Sequence, residues 1–346
     1  MILVVLGTRP EAIKLLPIIK EFRKRNIKFE LLNTNQHSEI LDTVLDENGV
    51  KPKYKLNIHG RHTGLLDVKC EMLRQMNTIL SPSRYTNVMV QGDTLSALVG
   101  AEYGFFYCIP VCHIEAGMRT HDIRNPYPEE SFRRMIGSMS TVHFCPSETE
   151  RDNLYKESIT DNVYVVGNTF VDYRNNERPK NEEIKKQVLV TIHRRENLPY
   201  LDKIFSDIAD LTKITEGYKW LFPVHPNPEI VKKAKQWLGG ITGVELCEPL
   251  SPEQFYMELQ GSEIIISDSG GVHEECLLNN KKILIVRDAT ERRTDFDNTE
   301  LISPTANIKD SFINLLNREI KDDSSKCYGL GDTAEKIVDI LIGEVK

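Results

Sequence analysis

Four carboxylates with clear chemical potential lie between positions 113 and 134 of this sequence: Glu115, Asp122, Glu129 and Glu130. Glu115 directly follows a predicted buried strand, and ligands of open parallel α/β sheets bind beyond the carboxyl ends of the strands. Glu129 lies in the first turn of a predicted helix, where the helix dipole favours negative charge. We therefore predict that Glu115 faces a ligand, whereas helix capping explains Glu130 and solvation explains Asp122.

The turn after the first predicted strand has the features of an anion site. Thr8 and Glu11 have capping-box spacing, and a proline lies near the first helical position. Free backbone N–H groups at a helix start attract anions, and Arg9, with Lys14 one turn later, adds positive charge. An ordinary capped turn is the simpler alternative, but it leaves Arg9 unexplained.

Other predicted strand ends carry further polar side chains. Asp93 follows a strand and a glycine that permits close backbone approach, although a helix N-cap aspartate explains it equally well. In the second half, His193 precedes Arg194 and Arg195 at the end of a strand, and His225 ends the strand after it. One such histidine is often structural, but two of them beside two guanidinium groups indicate an anionic ligand.

The segment 267–275, SDSGGVHEE, gives the strongest phosphate signal. It runs from a predicted buried strand through paired glycines into a helix, so successive N–H groups form an anion nest to which Ser269 adds a hydroxyl. Glu275 is suited to accept hydrogen bonds from a ribose diol. A glycine-rich turn before a buried helix explains the glycines but not these polar groups. Metal binding by His273, Glu274 and Glu275 is excluded because neighbouring helical positions do not converge on one ion.

Short apolar runs alternate with helical patterns along the chain, which predicts βαβ units, parallel sheets and the α/β fold class. The predicted strands of the first half are residues 2–6, 29–32, 88–91, 110–114, 142–145 and 163–166. Those of the second half are residues 188–192, 220–224, 244–247, 264–266 and 283–286.

Two domains are expected because 346 residues are too many for one ordinary core. The polar stretch 172–186 predicts the boundary between them. We assign residues 1–171 to an N-terminal Rossmann-like domain with the carboxylates, and residues 172–332 to a C-terminal Rossmann-like domain that binds the nucleotide. Residues 333–346 form a helix that can return to the first domain. Two such doubly wound lobes imply a cleft between them.

The composition argues against several partners and cofactors. A net charge of -7 disfavours a nucleic-acid partner. No apolar run is long enough to span a bilayer, and no basic region precedes the first strand, so we predict no membrane partner and a cytoplasmic location. Seven cysteines without a C-x-x-C pair predict free, mostly buried thiols. Nicotinamide and P-loop fingerprints are absent, and we predict neither a cofactor nor a metal.

Eight segments occur in order across nearly the whole chain: GTRPEAIKLLP, QGDT, HIEAGMRT, PEESFRR, HRREN, PVHPNP, SDSGGVHEE and RDATER. Together they resemble the non-hydrolysing UDP-N-acetylglucosamine 2-epimerase family. The resemblance implies a GT-B fold, a homodimer, a UDP-sugar ligand, and interconversion of UDP-GlcNAc and UDP-ManNAc.

The resemblance also implies roles for individual residues. Those that match the family's catalytic positions are Asp93, Glu115, Glu129 and His193. Those that match positions holding the UDP-sugar, with Gly270 of the same turn, are Arg9, Lys14, His225, Phe255, Ser269, Gly270, Gly271, Glu275 and Arg292. Gln36 and His37 resemble the segment that in bacterial members helps bind a second UDP-GlcNAc as an activator.

The hydrogen on sugar C2 is not next to a carbonyl, so simple deprotonation faces too high a barrier, and the enzyme must either oxidise the sugar transiently or expel UDP first. The absence of a nicotinamide fingerprint favours elimination. We expect anti elimination of UDP to 2-acetamidoglucal, followed by re-addition after C2 is reprotonated from the opposite face. Inversion needs a proton-transfer group on each face, which explains why several carboxylates are required.

Four alternatives stay open. A closely related 2-epimerase of UDP-2,3-diacetamido-2,3-dideoxyglucuronate would share most of these segments. A hydrolysing 2-epimerase would release free ManNAc, but the PEESFRR segment argues against it. A GT-B glycosyltransferase would need an acceptor. A non-catalytic UDP-sugar binding protein would need neither three carboxylates nor His193.

Overall fold

The computed structural model describes residues 1–36, 38–58, 64–175 and 184–343. These residues form two compact units, one containing residues 1–175 and 328–343 and the other residues 184–327. Each unit contains one parallel sheet. Within the described residues, no helix is both long and apolar enough to cross a membrane.

The first unit has a seven-stranded parallel sheet. Its strands are β1 (Ile2–Leu6), β2 (Phe29–Asn33), β3 (Tyr54–Lys55), β4 (Asn87–Gln91), β5 (Val111–Ile114), β6 (Val142–Cys145) and β7 (Val163–Val165), in the order β3-β2-β1-β4-β5-β6-β7. Its helices are α1 (Arg9–Lys24), α2 (Ser38–Glu47), α3 (Leu65–Ile79), α4 (Leu95–Phe106), α5 (Glu129–Met139), α6 (Glu148–Lys156), α7 (Thr169–Asn175) and the C-terminal α13 (Thr333–Ile342).

The second unit has a six-stranded parallel sheet. Its strands are β8 (Lys185–Thr191), β9 (Lys219–Pro223), β10 (Val244–Cys247), β11 (Ser262–Ser267), β12 (Lys282–Val286) and β13 (Thr299–Ile302), in the order β10-β9-β8-β11-β12-β13. Its helices are α8 (Leu201–Ile214), α9 (Pro228–Leu238), α10 (Pro252–Gly261), α11 (Gly270–Leu278) and α12 (Ile308–Asn317).

Both faces of the first sheet are covered by helices. Alternate residues of a strand point to opposite faces, and Val4 packs in one apolar cluster with α1 and α13, whereas Val5 packs in another with α3 and α4. Each fully buried aliphatic side chain contributes about 1.5–3 kcal/mol. The side chain of Ile337 on α13 is fully buried in the first of these clusters, so the C-terminal helix is part of the core of the first unit.

All eleven predicted strands are present, which confirms the prediction of parallel α/β sheets. β3 and β13 were not predicted, because β3 has two residues and β13, TELI, has too short a pattern to stand out. Each of the seven cysteines is a free thiol. Cys112, Cys145 and Cys276 are buried, as predicted, and Cys247 and Cys327 are partly buried. The prediction of buried thiols was wrong for Cys70 and Cys108, which are exposed.

Candidate active site

In the first unit the strand order reverses between β1 and β4, and ligands of doubly wound sheets bind at such a reversal. Glu11 joins the turns that follow these two strands. Its Oε2 accepts hydrogen bonds from Gly7 N (2.9 Å), Thr8 N (2.7 Å) and Thr8 Oγ1 (2.8 Å), and its Oε1 accepts one from Thr94 Oγ1 (2.5 Å). The predicted capping box of Thr8 and Glu11 is confirmed, and Glu11 additionally holds the turn that contains Asp93.

Burial governs the ionisation of Glu11. Its side chain is fully buried, which raises the pKa from 4.5 to about 7, although the hydrogen bonds from Thr94, Gly7 and Thr8 lower it. Arg9, the first residue of α1, is only partly buried. The turn thus combines a rigid backbone with an accessible guanidinium group.

Glu115 and Lys14, which lie far apart in sequence, meet directly. Glu115 is buried just beyond the end of β5, in the left-handed backbone region with φ +65°. Lys14 Nζ lies 2.7 Å from both carboxylate oxygens, and the side-chain amide of Gln91, the last residue of β4, also donates to Glu115. The carboxylate is therefore fixed at the carboxyl ends of adjacent strands.

Arg133 connects Asp93 with α5. Its Nε lies 3.1 Å from Asp93 Oδ2, its Nη2 donates to the same oxygen, and its Nη1 lies 3.1 Å from Glu130 Oε2. Glu129 precedes Arg133 by four residues, so the two side chains lie on the same face of α5. The structure thereby brings α5 next to Asp93. Arg133 is a site residue that no sequence motif singles out, and its i+4 spacing from Glu129 is the available signal.

Glu130 does not cap its own helix, so that interpretation was wrong. It is fully buried and accepts hydrogen bonds from the backbone N–H groups of Thr120 (3.0 Å) and His121 (3.2 Å) in the loop after β5. Buried N–H groups in a loop need partners. Glu130 therefore holds this loop on α5.

In the second unit the strand order reverses between β8 and β11, and Asp268 follows β11. Its carboxylate accepts from the backbone N–H groups of His193 (3.0 Å) and Arg194 (2.9 Å) after β8 and from Asn197 Nδ2 (3.0 Å). The rings of His193 and His225 stack with centroids 5.8 Å apart. Burial lowers the pKa of His193. Asp268 is a further residue that no sequence motif singles out, although its strand-end position resembles that of Asp93.

The predicted phosphate turn forms the start of α11. Ser269 is its N-cap, and Gly270 and Gly271 are its first residues. A Cβ at Gly270 would lie 2.5 Å from Arg292 Nη1, so the arginine packs against the helix start through a close approach that glycine permits. Backbone N–H groups and a guanidinium therefore meet here, an arrangement that can bind a phosphate.

The remaining predicted residues lie elsewhere in the second unit. Glu275 is buried one turn into α11. Phe255 lies on α10 and packs against the apolar cluster beneath β8 and β11. No group of three His, Cys, Asp or Glu suited to a metal ion occurs within the described ranges. In the first unit, Gln36 accepts a hydrogen bond from Ser96 Oγ (3.0 Å), whereas His37 lies outside the described residues.

Protein families, relatives and solved structures that resemble this chain all indicate the same family. The family model described as UDP-N-acetylglucosamine 2-epimerase matches residues 20–342. A Campylobacter jejuni relative named UDP-N-acetylglucosamine 2-epimerase is 35% identical over 375 residues, 99% of this chain and 97% of the relative. The solved UDP-GlcNAc 2-epimerase from Neisseria meningitidis bound to UDP-GlcNAc has a TM-score of 0.87 at 33% identity, over 99% of both chains. That from Methanocaldococcus jannaschii, in complex with UDP-GlcNAc and UDP, has a TM-score of 0.83 at 31% identity, over 99% of both chains.

These similarities and the two parallel sheets confirm the predicted fold class, a GT-B type with two Rossmann-like domains. They also confirm the family that the eight sequence segments predict. Because both the family model and close relatives match nearly the whole length, this chain belongs to the UDP-N-acetylglucosamine 2-epimerase family.

Proposed function

We propose that this chain interconverts UDP-GlcNAc and UDP-ManNAc by reversible epimerisation at C2 of the sugar. The observation that carries the proposal is 35% identity, over 99% of the chain, to a relative named UDP-N-acetylglucosamine 2-epimerase. The neighbour from Neisseria meningitidis is bound to UDP-GlcNAc, which supports a UDP-sugar as the ligand here. The same similarities favour this substrate over a UDP-diacetamidouronate.

The reaction proceeds by elimination and re-addition. A base removes the proton from C2, the electron pair forms the C1–C2 double bond, and the C1–O bond breaks with its electrons leaving on UDP. The product held on the enzyme is 2-acetamidoglucal. A proton then adds to C2 from the opposite face while UDP adds back to C1, which gives the epimer without net gain or loss of atoms.

Asp93, Glu115 and Glu129 serve as the acid and base groups. What supports this role is that Lys14 and Gln91 orient Glu115, while Arg133 orients Asp93 and shares a helix face with Glu129. Positioned acid–base groups contribute roughly 10²–10⁴-fold to rate.

The departing diphosphate is stabilised by positive charge and N–H dipoles. The groups proposed for this task are Arg9, His193, Arg292 and the turn Ser269, Gly270 and Gly271. Support comes from the contact of Arg292 with the start of α11. His225, Phe255 and Glu275 complete the binding of UDP, with Glu275 accepting from the ribose diol.

The same proposal includes a homodimer and an activating second UDP-GlcNAc near Gln36. Phe105, Phe106 and Tyr107, consecutive exposed aromatic residues at the end of α4, support an apolar surface for a second copy. Exposed apolar clusters of this kind mark association surfaces. The second UDP-GlcNAc is supported by the resemblance of Gln36 and His37 to the activator-binding segment of bacterial members of the family.

The test is incubation of the purified chain with UDP-GlcNAc, followed by separation of the nucleotide sugars. We expect UDP-ManNAc to appear without free ManNAc. Glu115→Gln and Asp93→Asn should each lower turnover by roughly 100-fold or more, because each removes an acid–base group, whereas exposed Glu47→Gln should not. Free ManNAc would indicate hydrolysis, and binding without turnover would indicate a UDP-sugar binding protein. Either result would contradict the proposal.

A further inference from the structure

Asp268 is a fully buried carboxylate to which the proposed reaction gives no role. Its two oxygens share one donor, the backbone N–H of His193, and differ in their other partners. Oδ2 accepts from His193 N (3.0 Å), Arg194 N (2.9 Å) and Asn197 Nδ2 (3.0 Å). Oδ1 accepts from His193 N at 3.1 Å and lies 3.2 Å from Nδ1 of the His193 ring. Asn197 also donates to Val286 O (2.9 Å), which fixes the assembly to β12.

The 3.2 Å contact between Nδ1 and Oδ1 favours one tautomer of His193. A carboxylate oxygen offers lone pairs, so a hydrogen on the ring nitrogen beside Oδ1 is favoured over a further lone pair there. A neutral imidazole has one N–H, and Nε2 is therefore unprotonated. The His193 side chain is 36% exposed while Asp268 is fully buried, so the far side of the ring remains accessible.

We propose that Asp268 is a positioning residue that fixes the Nδ1–H tautomer of His193 and stabilises its imidazolium form beside a bound diphosphate. When the diphosphate binds, Nε2 takes one proton from solvent and donates it in a hydrogen bond to a phosphate oxygen. The new positive charge then lies between Asp268 and the ligand. Other charged or titratable groups that act on His193 are Arg194, His225 and Glu196. The diphosphate part of this inference rests on the proposed function.

The substitution Asp268→Asn separates the positioning role from a structural one. The amide oxygen of asparagine can replace Oδ2, where three N–H donors converge, so the anchor of the turn after β8 is retained. The amide NH2 group then takes the place of Oδ1 and donates to Nδ1. His193 must switch to the Nε2–H tautomer. In the Ser-His-Asp triad, this kind of change lowers kcat by about 10⁴-fold.

The experiment is long-range proton–nitrogen NMR of the full chain labelled with ¹⁵N-histidine, with His193→Gln identifying the signals among nine histidines. In the wild type we expect a protonated Nδ1 and an unprotonated Nε2, and added UDP should protonate Nε2. In Asp268→Asn the two nitrogens should exchange roles. Asn197→Ala, which removes a donor to Asp268 but not the ring contact, should keep the wild-type tautomer and serves as the structural control.

An Nε2–H tautomer in the wild type would overturn the inference without need of any variant. An unchanged tautomer in Asp268→Asn would overturn it as well. Because these signals require no turnover, they are independent of activity. A chain with the Nδ1–H tautomer that does not convert UDP-GlcNAc would overturn the proposed function and leave the role of Asp268 in setting the tautomer standing.

Discussion

At the scale of single residues, Glu11 links the two turns at the strand reversal of the first unit. Its folded pKa is about 7 and its ordinary value is 4.5, because burial penalises the charge. Between these pH values the folded protein binds this proton more tightly than the unfolded chain does. The contribution of Glu11 to the free energy of unfolding therefore falls as pH rises from about 4.5 to 7, by about 3 kcal/mol.

Glu11→Gln should remove this pH dependence. A glutamine can place its amide oxygen where Gly7 and Thr8 donate and its NH2 group toward Thr94, so the turns keep their partners. Urea unfolding at pH 5.5 and pH 8 should show a smaller loss of stability in the variant than in the wild type. Glu21→Gln is the control and should lose as much stability between these pH values as the wild type. Burial raises the pKa of Glu21, but Arg25 and Lys24 outweigh it and lower that pKa, so the contribution of Glu21 to the free energy of unfolding is lost only as pH falls. Equal losses in Glu11→Gln and wild type would contradict the account.

At the scale of elements, the loop after β5 depends on Gly117. The residue has φ +87°, and a Cβ there would lie 2.1 Å from the carbonyl oxygen of Glu150 on α6. Gly117→Ala should lower the free energy of unfolding by roughly 2–5 kcal/mol, the sum of left-handed strain and overpacking. Gly49→Ala is the matched control, since Gly49 has φ +62° but a Cβ there would meet no heavy atom within 4 Å outside the neighbouring residues.

Denaturant unfolding checks this difference. In the control, Gly49→Ala, only left-handed strain should lower the free energy of unfolding, by about 1–2 kcal/mol. Because Glu115 lies two residues before Gly117, Gly117→Ala should also lower turnover more than Gly49→Ala does. Equal destabilisation of the two variants would show that the loop can move away from α6.

The sequence was sufficient to predict elements and their ends but not the contacts between them. Strand ends such as those before Asp93 and Glu115 follow from apolar periodicity and turn residues. The pairs Lys14 with Glu115 and Arg133 with Asp93 depend on strand order and helix placement, which no local pattern specifies. The contacts of Glu130 are likewise not specified by a local pattern, because its partners lie in a loop that precedes it by nine or ten residues.

At the scale of the whole molecule, the aromatic residues at the end of α4 should control assembly. Phe106 is 70% exposed, and the centroid of its ring lies 5.7 Å from that of Phe105. Phe106→Asp should convert a dimer to a monomer in sedimentation analysis, because a charge buried in an apolar interface is costly. Ile214→Asp, at an exposed apolar residue on α8, should leave the dimer intact. A monomeric wild type would contradict the proposed dimer.

Proton NMR in heavy water distinguishes reversible elimination across C1 and C2 from other routes to the epimer. The purified chain is mixed with UDP-GlcNAc, and the C2 signals of both nucleotide sugars are followed with time. We expect deuterium at C2 of UDP-ManNAc and of recovered UDP-GlcNAc, because the carboxylates exchange their protons with solvent between removal and return. UDP-ManNAc that forms without deuterium would contradict this mechanism.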